Sequence, residues 1–239
     1  MIYIYNGSFE GLLTAIFDAY NDGEALIFKE GELLPPLLEY KKVETDMRKS
    51  LRLQSGINKK LSKIILRDIY IIYLSDYTDH GTIALKYLRF CFLKGKGARS
   101  LHFDPAVKNA LTLRRKVMHE ADKMLGLVRF DKTQDGVYIS EIQPDHNILS
   151  LIAGHFAGRM PTHSFVIRDT RRELAICSYN GNWVLIHLPS QVKFDISKDE
   201  FRSMWKEYWN SMAIRERLNP RQQKAYMPKR YWKNLTEMQ

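Results

Sequence analysis

Residues 174–188 read Leu174-Ala175-Ile176-Cys177-Ser178-Tyr179-Asn180-Gly181-Asn182-Trp183-Val184-Leu185-Ile186-His187-Leu188. Leu174 to Tyr179 and Trp183 to Leu188 are runs of β-formers, and they flank Asn180-Gly181, the pair that best tolerates positive φ at both centres of a tight hairpin turn. The stretch therefore reads as two antiparallel strands. Working upstream, Ser164 to Asp169 is a third strand candidate. Val137 to Ile142 and Leu125 to Phe130 are two more, joined through Asp135-Gly136. Between them Asp145 and Asn147 offer N-caps for a helix with Ile148, Leu151, Ile152, His155 and Phe156 on one face. Two strands, a helix and three strands make a small, mainly antiparallel sheet with packed helices, so the fold class is α+β.

Before residue 125 the apolar period is helical. Tyr3 to Tyr5 reads as a short N-terminal strand, and Ser8 can cap a helix carrying Leu12, Leu13, Ile16, Phe17 and Tyr20. Residues 21–36, with Gly23, Gly31 and Pro35-Pro36, read as turns and an extended connection. Leu61, Ile64, Ile65, Ile69 and Ile72 predict one helix over 59–74, with Lys59, Lys63 and Arg67 as a basic ridge at i, i+4 and i+8. Further helices follow from Ile83 to Cys91, closed by Lys94-Gly95-Lys96-Gly97, and from Asp104-Pro105 to Met124. After the last strand, Phe201, Met204, Trp205, Tyr208, Trp209 and Met212 trace an amphipathic helix that leads into a basic, helical, aromatic C-terminal tail. The division is 1–124, mainly helical, and 125–239, α+β with the basic tail, or one continuous domain.

The composition narrows the function classes. Of 239 residues 45% are hydrophobic and 27% charged, which excludes a disordered or low-complexity chain. Two cysteines, Cys91 and Cys177, cannot build a disulfide framework, a Cys-rich zinc site or an iron–sulfur cluster. No metal or cofactor is expected. The start, Met1-Ile2-Tyr3-Ile4-Tyr5-Asn6-Gly7-Ser8, carries no secretory leader pattern, and Ile64 to Leu74 is too short and too charged to span a bilayer. The expectation is a cytoplasmic protein with no membrane partner.

The net charge of +10 is clustered. Between Lys41 and Arg67 nine basic residues face only Glu44 and Asp46, and between Arg215 and Lys233 seven face only Glu216. Clustered cations can contact successive phosphates and release counterions, so DNA is the expected partner. In this reading Lys59, Lys63, Arg67, Arg215, Arg217, Arg221, Lys229 and Arg230 hold phosphates, while Tyr231 or Trp232 stacks on a displaced base.

Familiar catalytic signatures are absent: there is no Walker-type phosphate loop, no dinucleotide-binding Gly-x-Gly-x-x-Gly after a strand, no His-Glu-x-x-His and no Gly-x-Ser-x-Gly elbow. Lys94-Gly95-Lys96-Gly97 follows a helix and fits a basic C-terminal cap better than a phosphate cradle. Among the histidines, His119 lies off the Val117/Ala121/Met124 face of its helix and should meet solvent or a groove. His146 stands at a helix start, where backbone N–H groups favour an anion. His155 shares the apolar face and reads as a core histidine. His146 and His155, nine residues apart, would lie roughly 13 Å apart along a helix, too far for one metal.

Several ordered motifs resemble a bacterial family assigned to DNA metabolism and DNA repair. They are Gly7-Ser8-Phe9-Glu10-Gly11-Leu12-Leu13 with Phe17-Asp18-Ala19-Tyr20, Thr45-Asp46 before basic residues, and the run from His119 through Lys123 to Arg129-Phe130. Pro144-Asp145-His146-Asn147-Ile148-Leu149, His155-Phe156-Ala157-Gly158-Arg159-Met160, Arg168-Asp169, Asn219-Pro220-Arg221-Gln222-Gln223 and Met227-Pro228-Lys229-Arg230-Tyr231-Trp232 continue the match. Two positions depart from the family pattern: Asn6 stands where an aspartate is expected, and Asp122 where histidine is frequent.

The resemblance implies genomic company with a radical SAM protein of DNA modification or repair, and kinship to domains fused to uracil-DNA-glycosylase-like proteins. This chain lacks the cysteine cluster of the first and the Gly-Glu-x-Pro-Gly motif of the second, so it resembles their partner. Three readings follow. The leading one is a DNA-binding accessory protein that serves a radical SAM protein. The second is a nucleic-acid or nucleotide-processing enzyme using His119, His146 and Arg129 or Arg159. The third is an interaction module with an acidic partner.

Overall fold

Tyr3, Tyr5, Ile2 and Ile4 alternate across a strand that is buried on both faces, the pattern of a parallel strand inside a sheet. In the computed structural model, which describes residues 1–35, 39–189, 191–195, 204, 207, 211, 219–235 and 238, this strand, β1 (Ile2–Tyr5), is the middle of three. β2 (Leu26–Lys29) and β3 (Tyr40–Val43) flank it in the order β2-β1-β3, both parallel to it. The chain is α+β, and it divides into two compact units, Met1–Met118 and His119–Gln239.

The first unit carries more sheet than periodicity predicts. Four-residue strands such as β2 and β3 are too short to show alternation, and the Lys41-Lys42 pair in β3 reads as surface. Helix α1 (Phe9–Ala19) starts as expected: the Ser8 hydroxyl accepts from the Gly11 N–H at 3.0 Å. Arg89 satisfies carbonyls at its far end, donating to Ala19, Tyr20 and Asp22 at 2.5–2.9 Å.

The helix predicted over 59–74 is two helices, α2 (Met47–Lys60) and α3 (Lys63–Tyr73), broken at Leu61-Ser62. Leu61 is buried, in phase with Ile57 before it and Ile65 after it, so the apolar period runs through a break that it cannot reveal. The basic ridge is therefore split: Lys59 ends α2, and only Lys63 and Arg67 share a helix.

Helix α4 (His80–Lys94) packs on β2 through Gly81, where a Cβ would stand 2.9 Å from the Ile27 carbonyl oxygen. This close approach lets the next residue, Thr82, accept from the Ile27 N–H at 2.9 Å. Gly95, at φ +75°, closes α4 by donating to the Cys91 carbonyl, as a C-terminal cap does.

Asp68 is the buried charge of this unit. Arg99 Nε lies 2.7 Å from one carboxylate oxygen, the Tyr87 hydroxyl donates to the same oxygen at 3.1 Å, and Arg114 Nε pairs with the other at 2.6 Å without hydrogen-bond alignment.

The second unit is built on a five-stranded sheet ordered β4 (Asp131–Lys132), β5 (Tyr138–Ile142), β6 (Phe165–Asp169), β7 (Leu174–Tyr179) and β8 (Asn182–His187). All neighbours are antiparallel except β5 and β6, which are parallel and joined through helix α6 (Leu149–Arg159). Asn180 and Gly181 both take positive φ, as the hairpin requires.

Leu125 to Phe130 is not a strand. Helix α5 (Pro105–Leu127) continues through Leu127, and pairing with β5 begins only at Asp131, because Leu125 and Leu127 fit a final helical turn as well as a strand. Asp145 and Asn147 do not cap α6, whose N-cap is Ile148 without a side-chain hydrogen bond. His155 is exposed rather than buried: Leu149, Ile152, Ala153, Phe156 and Ala157 fill the core-facing stripe, and His155 falls beyond its edge.

The amphipathic helix predicted from Phe201 to Met212 falls largely outside the described residues, as do Arg215 and Arg217. Among the described residues no helix is long and apolar enough to cross a membrane.

Candidate functional site

Residues of three family-like motifs of the second unit, around 119–123, 144–149 and 227–232, meet at the C-terminal end of α5. Val117, Ala121 and Met124 bury one face of this helix, and Glu120 falls on the same face, 6% exposed. A carboxylate there must find donors. The Asp145 and His146 backbone N–H groups each donate to it at 2.8 Å, one to each oxygen. The Tyr231 hydroxyl donates to Oε1 at 2.5 Å and Arg230 to the same oxygen at 3.1 Å. Arg230 also pairs with the Asp145 carboxylate and lies over the Tyr231 ring, 4.7 Å from its centroid.

This network joins α5, the 144–148 turn and the C-terminal 3-10 turn Lys229–Asn234. Its chemistry is that of a fixed anion, since every named donor is spent on holding the carboxylate in place. Burial, followed by the Glu120 hydrogen bond, pushes the Tyr231 phenol up, so it stays a donor.

Glu120 lies inside the His119 to Lys123 run, but the motif does not mark it as the buried member. The signal that could have found it is its position at i+3 in the apolar stripe that starts at Val117.

Beside this network the exposed edge of α5 forms a cleft of about 500 Å³ with the short helix Pro220–Tyr226. Its lining includes His119, Asp122, Lys123, Arg129, Tyr226 and Met227. His119 is exposed, as its position off the apolar face implied. Lys123 Nζ donates to the Ala225 carbonyl at 3.1 Å, and Arg129 donates to the Gly126 carbonyl at 2.8 Å, so both cations are positioned by backbone. Tyr226 is 68% exposed at the rim.

The structure thus unites His119, Lys123 and Arg129. It places the other motif residues elsewhere. His146 is buried, Asn147 is half-buried, and Arg159 is exposed at the end of α6. Arg168 and Asp169 are structural: Arg168 is buried and donates to the Pro189 and Val192 carbonyls, while Asp169 accepts from the Arg171 and Arg172 N–H groups and pairs with the Arg172 guanidinium at 2.8 Å.

The tail is likewise divided. Tyr231 is buried and cannot stack on a base. Trp232 is half-buried, donates to the Met227 carbonyl at 2.7 Å and has Lys229 over its ring at 5.8 Å. Arg230 is spent on acids, whereas Arg221 and Lys229 are exposed.

In the first unit Lys41 and Lys49 pair with Asp18, and Lys42 pairs with Glu30. Lys59, Lys60, Lys63 and Arg67 are exposed, and no ion pair joins them among the described residues. No group of three His, Cys, Asp or Glu side chains among the described residues is placed to hold a metal.

The fold and site define an α+β protein with exposed cations at the end of α2 and along α3 in one unit and a cation-lined cleft on the other. A family model described as a domain of unknown function, DUF4130, matches residues 78–237, and the chain belongs to that family. No curated protein matches the chain.

Proposed function

We propose that this protein is a DNA-binding accessory factor of a bacterial repair or modification system, acting in the cytoplasm beside a radical SAM enzyme. The observation that carries the reading is the set Lys59, Lys60, Lys63 and Arg67, exposed cations that no acid neutralises among the described residues. Cations held this way attract a polyanion and release its counterions on binding. The radical SAM and uracil-DNA-glycosylase-like partners are supported by the family resemblance of the motifs. The test is fluorescence anisotropy with a labelled oligonucleotide across a salt series. The logarithm of affinity should fall linearly with the logarithm of salt, with a slope of about −3 or steeper for four phosphate contacts. Absence of salt-sensitive binding to both single- and double-stranded DNA overturns the reading.

A second reading, an enzyme acting on nucleic acid or nucleotides, is favoured by one observation: His119 and Arg129 line one cleft. Histidine can move a proton there and arginine can hold a phosphate. His146 and Arg159, the other two candidates, are not among the residues that line it. Cleavage or base release that is lost in His119→Ala separates this reading from simple binding.

A further inference from the structure

The cleft on the second unit has a composition that duplex DNA does not need. Among the described residues its walls combine an aromatic ring, Tyr226, and apolar Leu127 and Met227 with the cations Lys123 and Arg129, His119, and one acid, Asp122. Its volume of about 500 Å³ falls in the range of small-ligand sites. A phosphodiester backbone lying on a surface is held by cations and hydrogen-bond donors, and an exposed ring face or a carboxylate adds nothing to that contact. A pocket offering a π-face, apolar contact, an acceptor and cations together matches the parts of one nucleotide: base faces, base-edge N–H groups and a flanking phosphate.

We infer that this cleft takes a single unstacked nucleotide from a DNA strand, its base on the Tyr226 ring, its edge N–H groups toward Asp122 and its phosphate toward Lys123 and Arg129. The inference rests on the DNA-binding reading and adds a preference for unpaired DNA to it. The rim position of Tyr226 presents its ring without unfolding anything, and the short helix Pro220–Tyr226 is seated on α5 through the Lys123–Ala225 hydrogen bond. An ammonium has three donors and Ala225 takes one of them, so Lys123 keeps donors for a phosphate. Asp122 disfavours a bare phosphate, so inorganic phosphate should compete poorly and a deoxynucleoside monophosphate should compete better.

The experiment measures anisotropy of one labelled oligonucleotide, single-stranded and annealed to its complement, with wild type, Tyr226→Ala, Tyr226→Trp and Lys123→Gln. Wild type should bind the single strand about tenfold or more tightly than the duplex. Tyr226→Ala should lower that ratio by about 5-fold or more, toward one, as loss of a base–aromatic stack requires, and Tyr226→Trp should restore it. Lys123→Gln should make the single-strand salt slope shallower by roughly 0.7. Matching far-ultraviolet circular dichroism shows that each variant is folded. Salt-dependent binding with a ratio near one, or a ratio that Tyr226→Ala leaves unmoved, overturns the cleft assignment while the DNA-binding reading stands. Loss of salt-dependent binding in the wild type overturns both.

Discussion

The Tyr231 hydroxyl and the Glu120 carboxylate, 111 positions apart in the chain, meet at 2.5 Å in a buried hydrogen bond that ties the C-terminal turn to α5. With Arg230 and two backbone N–H groups on the same carboxylate, the bond belongs to a network whose members depend on one another. Tyr231→Phe should therefore lower stability by about 1.5–3 kcal/mol, the worth of a hydrogen bond to a charged group. Glu120→Ala should cost more, because it strands two N–H groups and Arg230 together. Urea midpoints at fixed m-value check both.

The buried carboxylate of the first unit gives a parallel expectation. Asp68 is 1% exposed between Arg99, Arg114 and Tyr87, but both arginines reach solvent, which screens them. Asp68→Asn should cost about 2 kcal/mol, below the full penalty for breaking a fully buried pair. Equilibrium unfolding followed by circular dichroism gives the value.

Stability should form a plateau in pH, bounded on each side by a named group. His80, buried and bonded to the Tyr5 hydroxyl at 2.7 Å and the Tyr77 carbonyl at 2.5 Å, has its pKa lowered chiefly by burial. The unfolded chain therefore binds more protons, and the His80 contribution is present above about pH 6.5 and lost as pH falls below it. Tyr5 and Tyr87 are pushed up, again chiefly by burial, so their contribution is present below about pH 10 and lost as pH rises above it. Melting temperatures over pH 5–11 should show both shoulders, and His80→Gln should flatten the acidic one.

Burial, with the Asp68 charge adding to it, pushes the Cys91 thiol up to about 11. Little thiolate exists at pH 8, and the side chain is enclosed in the first unit's core. Cys91 should therefore resist alkylation in the native protein and react once urea unfolds it. Mass-spectrometric mapping of the labelled peptides reads this directly.

The sequence disclosed the second unit's strands 137–142, 164–169, 174–179 and 183–188 to within a residue or two, because alternation and the Asn180-Gly181 turn are local signals. It could not show β2 and β3, whose four residues are too few for a period, nor the break at Leu61-Ser62, through which the apolar period continues. The candidate site was legible in part. The four-residue spacing of His119 and Lys123 puts them on one side of α5, but Arg129 lies past the end of that helix, and its place in the cleft, like those of Tyr226 and Met227, depends on tertiary docking. The burial of Asp68 and Glu120 was readable from the apolar period around them. Ile65-Asp68-Ile69-Ile72 and Val117-Glu120-Ala121-Met124 each place a carboxylate at i+3 in an apolar stripe, where burial demands arginine, tyrosine or backbone donors.

The exposed cations of the first unit should act as a group. Replacing Lys59, Lys60, Lys63 and Arg67 together with glutamine should reduce the salt slope of DNA binding by about 3 to 4, with little effect on stability because all four are exposed. A parallel set at Lys41, Lys42 and Lys49, whose charges already face Asp18 and Glu30, should reduce it less.

A crystal structure of the full chain with a short oligonucleotide tests DNA recognition most directly. The account predicts phosphates within hydrogen-bond distance of Lys59, Lys60, Lys63 or Arg67, and a base on Tyr226. Oligonucleotide bound away from both surfaces would contradict it.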